Sequence, residues 1–470
     1  MNDSRNGKPE GALPRRTLLG GLAAAGLLTL AGGGCGSSGG SGGPTPTPSP
    51  SPTQGPAPEG RETVTVEVPA GMDAPPFNVP RQLTVPAGFG IQVFARVPQV
   101  RFLAAAPNGD LLAAETFRDR VTLLRPDPAG GAPASFTFAD GMHAAHDIVF
   151  HTLGGTTYVY IAESSKVNRF VYTPGATSGA GRQTVVSGLP NASSPELQGA
   201  HGHQLKNIAL DRNHKLYVSS ASATNADPAD VLADPPRAAI LQYNADGSGM
   251  RVFARGLRNA EGLAFLPGTE DLWVSVNQRD NIPYPYDDGT GRYGQIVPEY
   301  VDNHPPEGFT LVRDGGNYGW PYANPTPDGP TGMDDMPFEA DAENNPGGTV
   351  ADPASFDRIT KGIQAHSAPL GLLFLQDTAF DLRYRNGAVI ALHGSWNRTR
   401  RVGYKFVYFP WNDGLNRPGA EQDFVTGWLD EGSQTFWGRP VDMAVAPNGD
   451  MYLSDDHSGT IYRLYRKPGT

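Results

Sequence analysis

The chain has 470 residues, with 37 Lys+Arg against 48 Asp+Glu, a formal net charge of -11, a single Cys, 59 Gly and 44 Pro. Gly and Pro together make up about 22% of it, against roughly 12% in an average protein, which leaves little room for long helices. The negative balance excludes nucleic acid and anionic membrane surfaces as partners, because both need clustered positive charge. One Cys excludes an internal disulfide framework and a Cys-rich metal cluster.

The first element in chain order is the apolar run from Leu18 to Ala31, preceded by Arg15 and Arg16. It is too short for a bilayer core, which needs about 20 residues, and it has the layout of a secretory signal peptide. The twin arginines resemble a Tat signal, the alternative being chance arginines beside a Sec signal. Cys35 follows directly and resembles the lipidated residue of a bacterial lipoprotein, although Gly32 stands where Leu is usual; cleavage at a small residue without lipid is the rival reading. We therefore expect a signal segment over 1–35. A Gly/Ser- then Pro/Thr-rich tether over 36–60 and a folded domain over 61–470 follow it.

From Arg61 onward, short β-branched and aromatic runs alternate with turn signals, and the runs repeat. Six units read as strand, polar turn, strand: Phe102–Thr116, His146–Ser164, Asn207–Ser222, Gly262–Asn277, Gly371–His393 and Asp442–His457. The spacing predicts an all-β, six-bladed β-propeller, and a β-sandwich array would not explain one motif recurring from end to end. The segment from Leu83 to Val97 is expected to lend a strand to the last blade, closing the ring. The largest insertion is expected between the fourth and fifth units, from about Arg279 to Ser367.

Chemistry in such a fold gathers where the units begin, near the central channel. His203 opens the third unit, where an imidazole is either a hydrogen-bonded structural group or a base working near neutral pH. Arg258, Asn259 and Glu261 open the fourth, and the arginine there is either an inter-blade ion pair or a donor to an anionic or carbonyl ligand. His366 and Ser367 open the fifth, His393 and Arg398 follow its second strand, and Arg439 opens the sixth.

In their order and spacing these residues resemble the soluble quinoprotein glucose/sorbosone dehydrogenases over roughly residues 85 to 467. The most specific match is the string Asp-Gly-Gly-Asn-Tyr-Gly-Trp-Pro at 314–321. His-Ser-Ala-Pro at 366–369 and His-Gly-Ser-Trp-Asn at 393–397 look closest to the sorbosone branch. The resemblance implies pyrroloquinoline quinone (PQQ) and Ca2+ as cofactors, and oxidation of an aldose or sorbosone-like sugar aldehyde or lactol. It makes His203 the base, aided by Arg258, and assigns cofactor contacts to Arg258, Asn259, Glu261, His366, Ser367, His393, Arg398 and Arg439. Arg400 and Arg401 lie in the same stretch as Arg398. It places calcium on the backbone carbonyls of Gln278, Arg279 and Asp280.

The chain departs from the family pattern in four places. Leu205, Lys206 and Asn207 replace a Gly-Gly-Arg sequence, and His393-Gly394 stands where a PQQ-contacting lysine is expected. His366 or Ser367 replaces a Thr, and Arg279-Asp280 replaces Gly-Pro. The acidic stretch from Asp334 to Glu343 reads as a solvated loop, with a second calcium site as the alternative. Two other functions stay open: a calcium-dependent lactonase, for which Glu261 and Glu115 are the placed carboxylates, and a non-catalytic binding propeller. No Cys-x-x-Cys-His haem site is present, so electrons are expected to leave to a separate acceptor. The expected partners are a small sugar and that acceptor, with the membrane reached only through the lipid at Cys35. Nothing in the sequence sets the oligomeric state.

Overall fold

Short apolar runs broken by turns fold here as antiparallel strands, and the structure, a computed structural model, describes them over residues 60–412 and 414–469. The signal-peptide, Tat and Cys35 expectations, and the tether up to residue 59, lie outside the described residues. Among the described residues, sheets of four or five strands stand around an axis as a six-bladed β-propeller. Their inner strands are Val100–Ala105, Ile148–Leu153, Ile208–Leu210, Asn259–Phe265, Pro369–Phe374 and Pro440–Val445. Each neighbours the next in chain order, and the last returns to the first.

The sequence units are the inner two strands of each blade. In the second, Ile148–Leu153 pairs with Thr156–Ala162 across Gly154 and Gly155, whose φ values of 58° and 80° are those a two-residue hairpin turn demands. Ring closure follows the expectation. Phe89–Arg96 pairs antiparallel with Thr460–Arg466, from Phe89 opposite Arg466 to Arg96 opposite Thr460. The insertion expected over 279–367 is not all loop. It contains Glu307–Val312 and Ile359–Ile363, the third and fourth strands of the fourth blade, whose register the intervening loops had hidden, and Asp334–Met336 at the blade's outer edge.

Both faces of each sheet are apolar, so the cores lie between blades. Leu112, Ile148 and Ile161 meet between the first two, Ile240, Val274 and Ile359 between the third and fourth, and Val389, Phe406 and Leu453 between the last two. At the axis, buried polar side chains join neighbouring inner strands. Asp147 accepts from Ile208 N at 2.8 Å, Asp442 from Leu103 N at 2.8 Å, and Ser454 Oγ donates to Arg101 O at 2.6 Å. Ser275 Oγ accepts from Gly262 N at 2.9 Å and donates to Leu370 O at 2.5 Å. Burial raises the Asp147 carboxyl to about 7 and lifts Asp442 well above its ordinary range. No helix among the described residues is long and apolar enough to cross a membrane.

Removing such a joint strands buried backbone groups. Ser275→Ala is expected to destabilise the protein by about 2 kcal/mol in equilibrium urea unfolding, while Asn448→Ala, on an exposed turn, changes stability by about 0.5 kcal/mol or less.

Candidate active site

Because each second strand runs antiparallel to its inner strand, the start of one and the end of the other lie at the same end of the blade. His203, Arg258, His366 and Arg439 precede inner strands, whereas Ser222, Asn225, Asp280, His393 and Asp456 follow second strands. The topology therefore brings both sets to one mouth of the channel.

The loop carrying Asn225 is fixed by buried Asp230, which accepts from Ala223 N, Thr224 N and Thr224 Oγ1 and pairs with Arg237. Asn225 in turn aims Arg258. Arg258 Nε donates to Asn225 O at 3.1 Å, and Nη2 donates to Asn225 Oδ1 at 3.0 Å and to Asp280 Oδ2 at 3.2 Å. No described residue takes a hydrogen bond from Arg258 Nη1. The Gly-rich string at 314–321 braces this loop from below. Tyr318 N donates to Arg255 O, Trp320 Nε1 donates to Asn225 O, and Gly256, at φ 73°, lies where a Cβ would come within 2.6 Å of Gly319 N.

His203 Nδ1 lies 2.9 Å from Ser222 O and 3.1 Å from Ser222 Oγ. With Nδ1–H donating to the carbonyl, Nε2 carries the lone pair, and no described residue engages it. Burial, reinforced by the Arg258 guanidinium, lowers its pKa to about 4, so the ring is neutral at pH 7. Asp280 bridges Arg258 and His366, whose Nδ1 is 3.6 Å from it, while His366 Nε2 donates to Val301 O at 2.9 Å. Burial lowers the His366 pKa, but Asp280 and Glu307 more than offset this and hold it above the ordinary imidazole range.

Behind Arg258, Asn259 Nδ2 donates to Glu261 Oε1 at 3.1 Å, and His146 lies 3.2 Å from Glu261 Oε2. Glu261 thus backs Asn259 from inside the channel and does not stand at the mouth. Lys206 is fully buried below, its Nζ donating to Gln204 O at 2.8 Å, and burial lowers it to about 7. Across the mouth, His393 Nε2 is 2.8 Å from Asp456 Oδ1, and Asp456 also pairs with Arg101. Burial lowers the His393 ring to about 4 despite that carboxylate. Arg439 Nε and Nη2 donate to His393 O and Gly394 O at 3.1 and 3.0 Å.

Other expected residues have more local partners. Ser367 is buried, with its hydroxyl donating to Gln364 O, and Arg398 Nη1 donates to Ala365 O at 3.2 Å. Gln278 N donates to buried Glu307, and the Asp280 carbonyl accepts from Asn225 Nδ2 at 2.8 Å. Arg279 turns inward to Asp341 and Glu343. The acidic stretch 334–343 is accordingly not a simple solvated loop. Asp334 pairs with Lys361, Asp335 with Arg417, and Glu339 accepts from Tyr286 and Tyr300. Among the described residues no group of three or more His, Cys, Asp or Glu side chains could hold a metal ion.

The sequence reading missed Asn225, Asp280 as a side-chain partner, Arg101 and Asp456. Asp456 had a usable signal, since it follows the second strand of its unit just as His393 follows that of the fifth. Asn225 had none, because only the fold of its loop brings it under Arg258. A surface cleft of about 560 Å3 lies elsewhere; the Asn-Gly-Asp turns at 108–110 and 448–450 line it, with Arg125 and Arg463 paired to their aspartates.

A family model described as TrAA12-like matches residues 83–467. The pyrroloquinoline quinone-dependent pyranose dehydrogenase of Coprinopsis cinerea is 25% identical over 429 residues, covering 83% of this chain and 55% of that protein. The chain spans 55 to 60% of the length of the curated relatives it matches. The holo form of the pyranose dehydrogenase PQQ domain from Coprinopsis cinerea superposes with a TM-score of 0.68 at 23% identity, covering 85% of this chain and all of that one. The calcium structure of the Trichoderma reesei family AA12 carbohydrate-active enzyme gives 0.66 at 21% identity, covering 81% and 96%. These structural likenesses establish a shared fold.

Arg279 now has a structural assignment that can be measured. Arg279→Met leaves Asp341 buried without its counter-charge and is expected to cost about 3 kcal/mol in urea unfolding, irrespective of added calcium.

Proposed function

The chain belongs to the TrAA12-like family, and from that premise we propose that it is a PQQ-dependent dehydrogenase oxidising an aldose or a sorbosone-like sugar aldehyde or lactol. The observation that carries this reading is His203, a neutral imidazole with Nδ1 committed to Ser222 and Nε2 open, set beside a buried guanidinium.

The donor set fits the cofactor. Binding a tricarboxylate requires local positive charge in an acidic protein, and Arg258, Arg439 and Arg398 would supply it. Arg439 and Arg398 are held by backbone carbonyls and Arg258 by Asn225 and the Asp280 carboxylate, and each keeps guanidinium N–H groups for a ligand. Asn259, steadied by Glu261, would add an amide contact. Calcium would rest on backbone carbonyls of Gln278, Arg279 and Asp280, as suits a hard cation, with the Asp280 carbonyl shared with Asn225 Nδ2.

When bound, the quinone supplies the hydride acceptor. His203 Nε2 takes the proton of the sugar hydroxyl, and the Ser222 carbonyl stabilises the resulting imidazolium through Nδ1–H. Arg258, unable to lose its proton and fixed by Asn225 and Asp280, stabilises negative charge developing at the mouth. Because His203 is only half-buried, the proton can pass on to water.

The lactonase alternative gains nothing from these contacts. Glu261 is committed to Asn259 and His146, and Glu115 to Thr122 and Arg118. Export, a lipid at Cys35 and a separate electron acceptor remain part of the proposal, the first two supported by the sequence of the N-terminal segment.

Purified protein given PQQ and calcium should bind the cofactor, seen in its absorbance, and reduce a dye with a panel of sugars. His203→Ala should keep the cofactor while turnover falls about 10²- to 10⁴-fold. Lack of cofactor binding by the wild type would sink the reading. The base works only unprotonated, so kcat/KM of the wild type is expected to fall as pH drops through about 4, not through the ordinary imidazole value of about 6.5.

A further inference from the structure

A cleft of about 430 Å3 opens beside the channel mouth, and its wall carries Arg398, Arg400, Arg401 and Lys405 together with two carboxylates, Asp423 and Glu431. Its volume is that of a small-ligand site. The arginines are oriented but not neutralised. Arg398 Nη1 donates to Ala365 O, Arg400 Nη2 to Glu431 O and Arg401 Nη1 to Gln434 O, and Arg401 also lies over the Phe436 ring at 5.5 Å. Among the described residues none of the three forms an ion pair with a carboxylate. Lys405 in the same wall is paired with Glu421 and Asp423, and Asp302, the acid that acts on Arg398, is bonded to Thr399 N and Oγ1.

Arg398 is assigned to the cofactor, which leaves Arg400 and Arg401 as exposed guanidiniums without a described carboxylate at ion-pair distance, in a chain with 48 acidic residues against 37 basic ones. Carbonyl acceptors fix the forks without reducing their charge, the arrangement that receives a planar carboxylate. The cleft also adjoins the site. Ala365, which holds Arg398, precedes His366, and Phe436 lies between Arg401 and Arg439, with the Arg439 guanidinium 6.0 Å from its centroid.

We propose that this cleft is a subsite for a carboxylate-bearing sugar unit, a uronate, within an acidic oligosaccharide whose terminal sugar enters the channel mouth. The assignment rests on the sugar-oxidation reading, so binding and turnover are tested apart. The full chain is titrated calorimetrically, at fixed ionic strength, with trigalacturonate, with neutral maltotriose and with inorganic phosphate. Trigalacturonate is expected to bind at least tenfold more tightly than either of the others. The double variant Arg400→Gln/Arg401→Gln is expected to lose at least tenfold of that affinity with an unchanged unfolding midpoint, and Arg400→Lys/Arg401→Lys to recover only part of it. Equal affinity in the Gln variant, phosphate binding as tight as trigalacturonate, or no trigalacturonate binding overturns the subsite. In the PQQ-loaded enzyme, the Gln variant is expected to raise KM for trigalacturonate about tenfold and to leave neutral sugars unaffected. Trigalacturonate binding without turnover of any sugar supports the cleft and counts against the dehydrogenase reading.

Discussion

Six inner strands crowded around one axis leave their polar groups no bulk solvent, so each must find a partner within the protein. Everything else in the molecule answers to that constraint. Asp147, Asp442, Ser275 and Ser454 satisfy backbone groups of a neighbouring inner strand, turning separate sheets into a ring. The same demand operates at the mouth, where Asn225, Asp280 and the Ser222 carbonyl take up the hydrogen bonds of Arg258 and His203.

The three imidazoles of the mouth show how burial and partners together set character. His203 has a carbonyl and an arginine beside it, and it stays neutral with a free nitrogen. His366 has Asp280 and Glu307, and it holds a proton more readily. His393 is tied to Asp456, but burial, with Arg439 and Arg101 beside it, keeps it neutral again. A site that combines neutral bases with fixed cations is arranged in advance for chemistry in which a proton leaves and negative charge builds up.

Blade number, ring closure and the first residue of each unit were legible because hairpins repeat and side chains alternate. The position of His203, Arg258, His366 and Arg439 at one end of the blades followed from their place in the repeat. Strands Glu307–Val312 and Ile359–Ile363 were not found, because long Pro- and Gly-rich loops flank them and no turn signal fixes their register. Arg279 was read for its backbone carbonyl, but its side chain is fixed by Asp341, 62 positions further along, and no local pattern encodes a pair of that separation. Asn225 was invisible for the same reason: its role depends on Asp230 shaping the loop and on Trp320 reaching it from another blade.

The pairing of Phe89–Arg96 with Thr460–Arg466 has a consequence for how the molecule is made. The ribosome releases the strand that starts the ring long before the one that ends it, so the sixth blade cannot assemble until nearly all of the chain has emerged. Until then the early strand waits with an unpaired edge, and the first and fifth blades each lack a neighbour on one side. The fold is thus completed in a single late event, in which the waiting strand gains its partner and the first and fifth blades gain their missing neighbour.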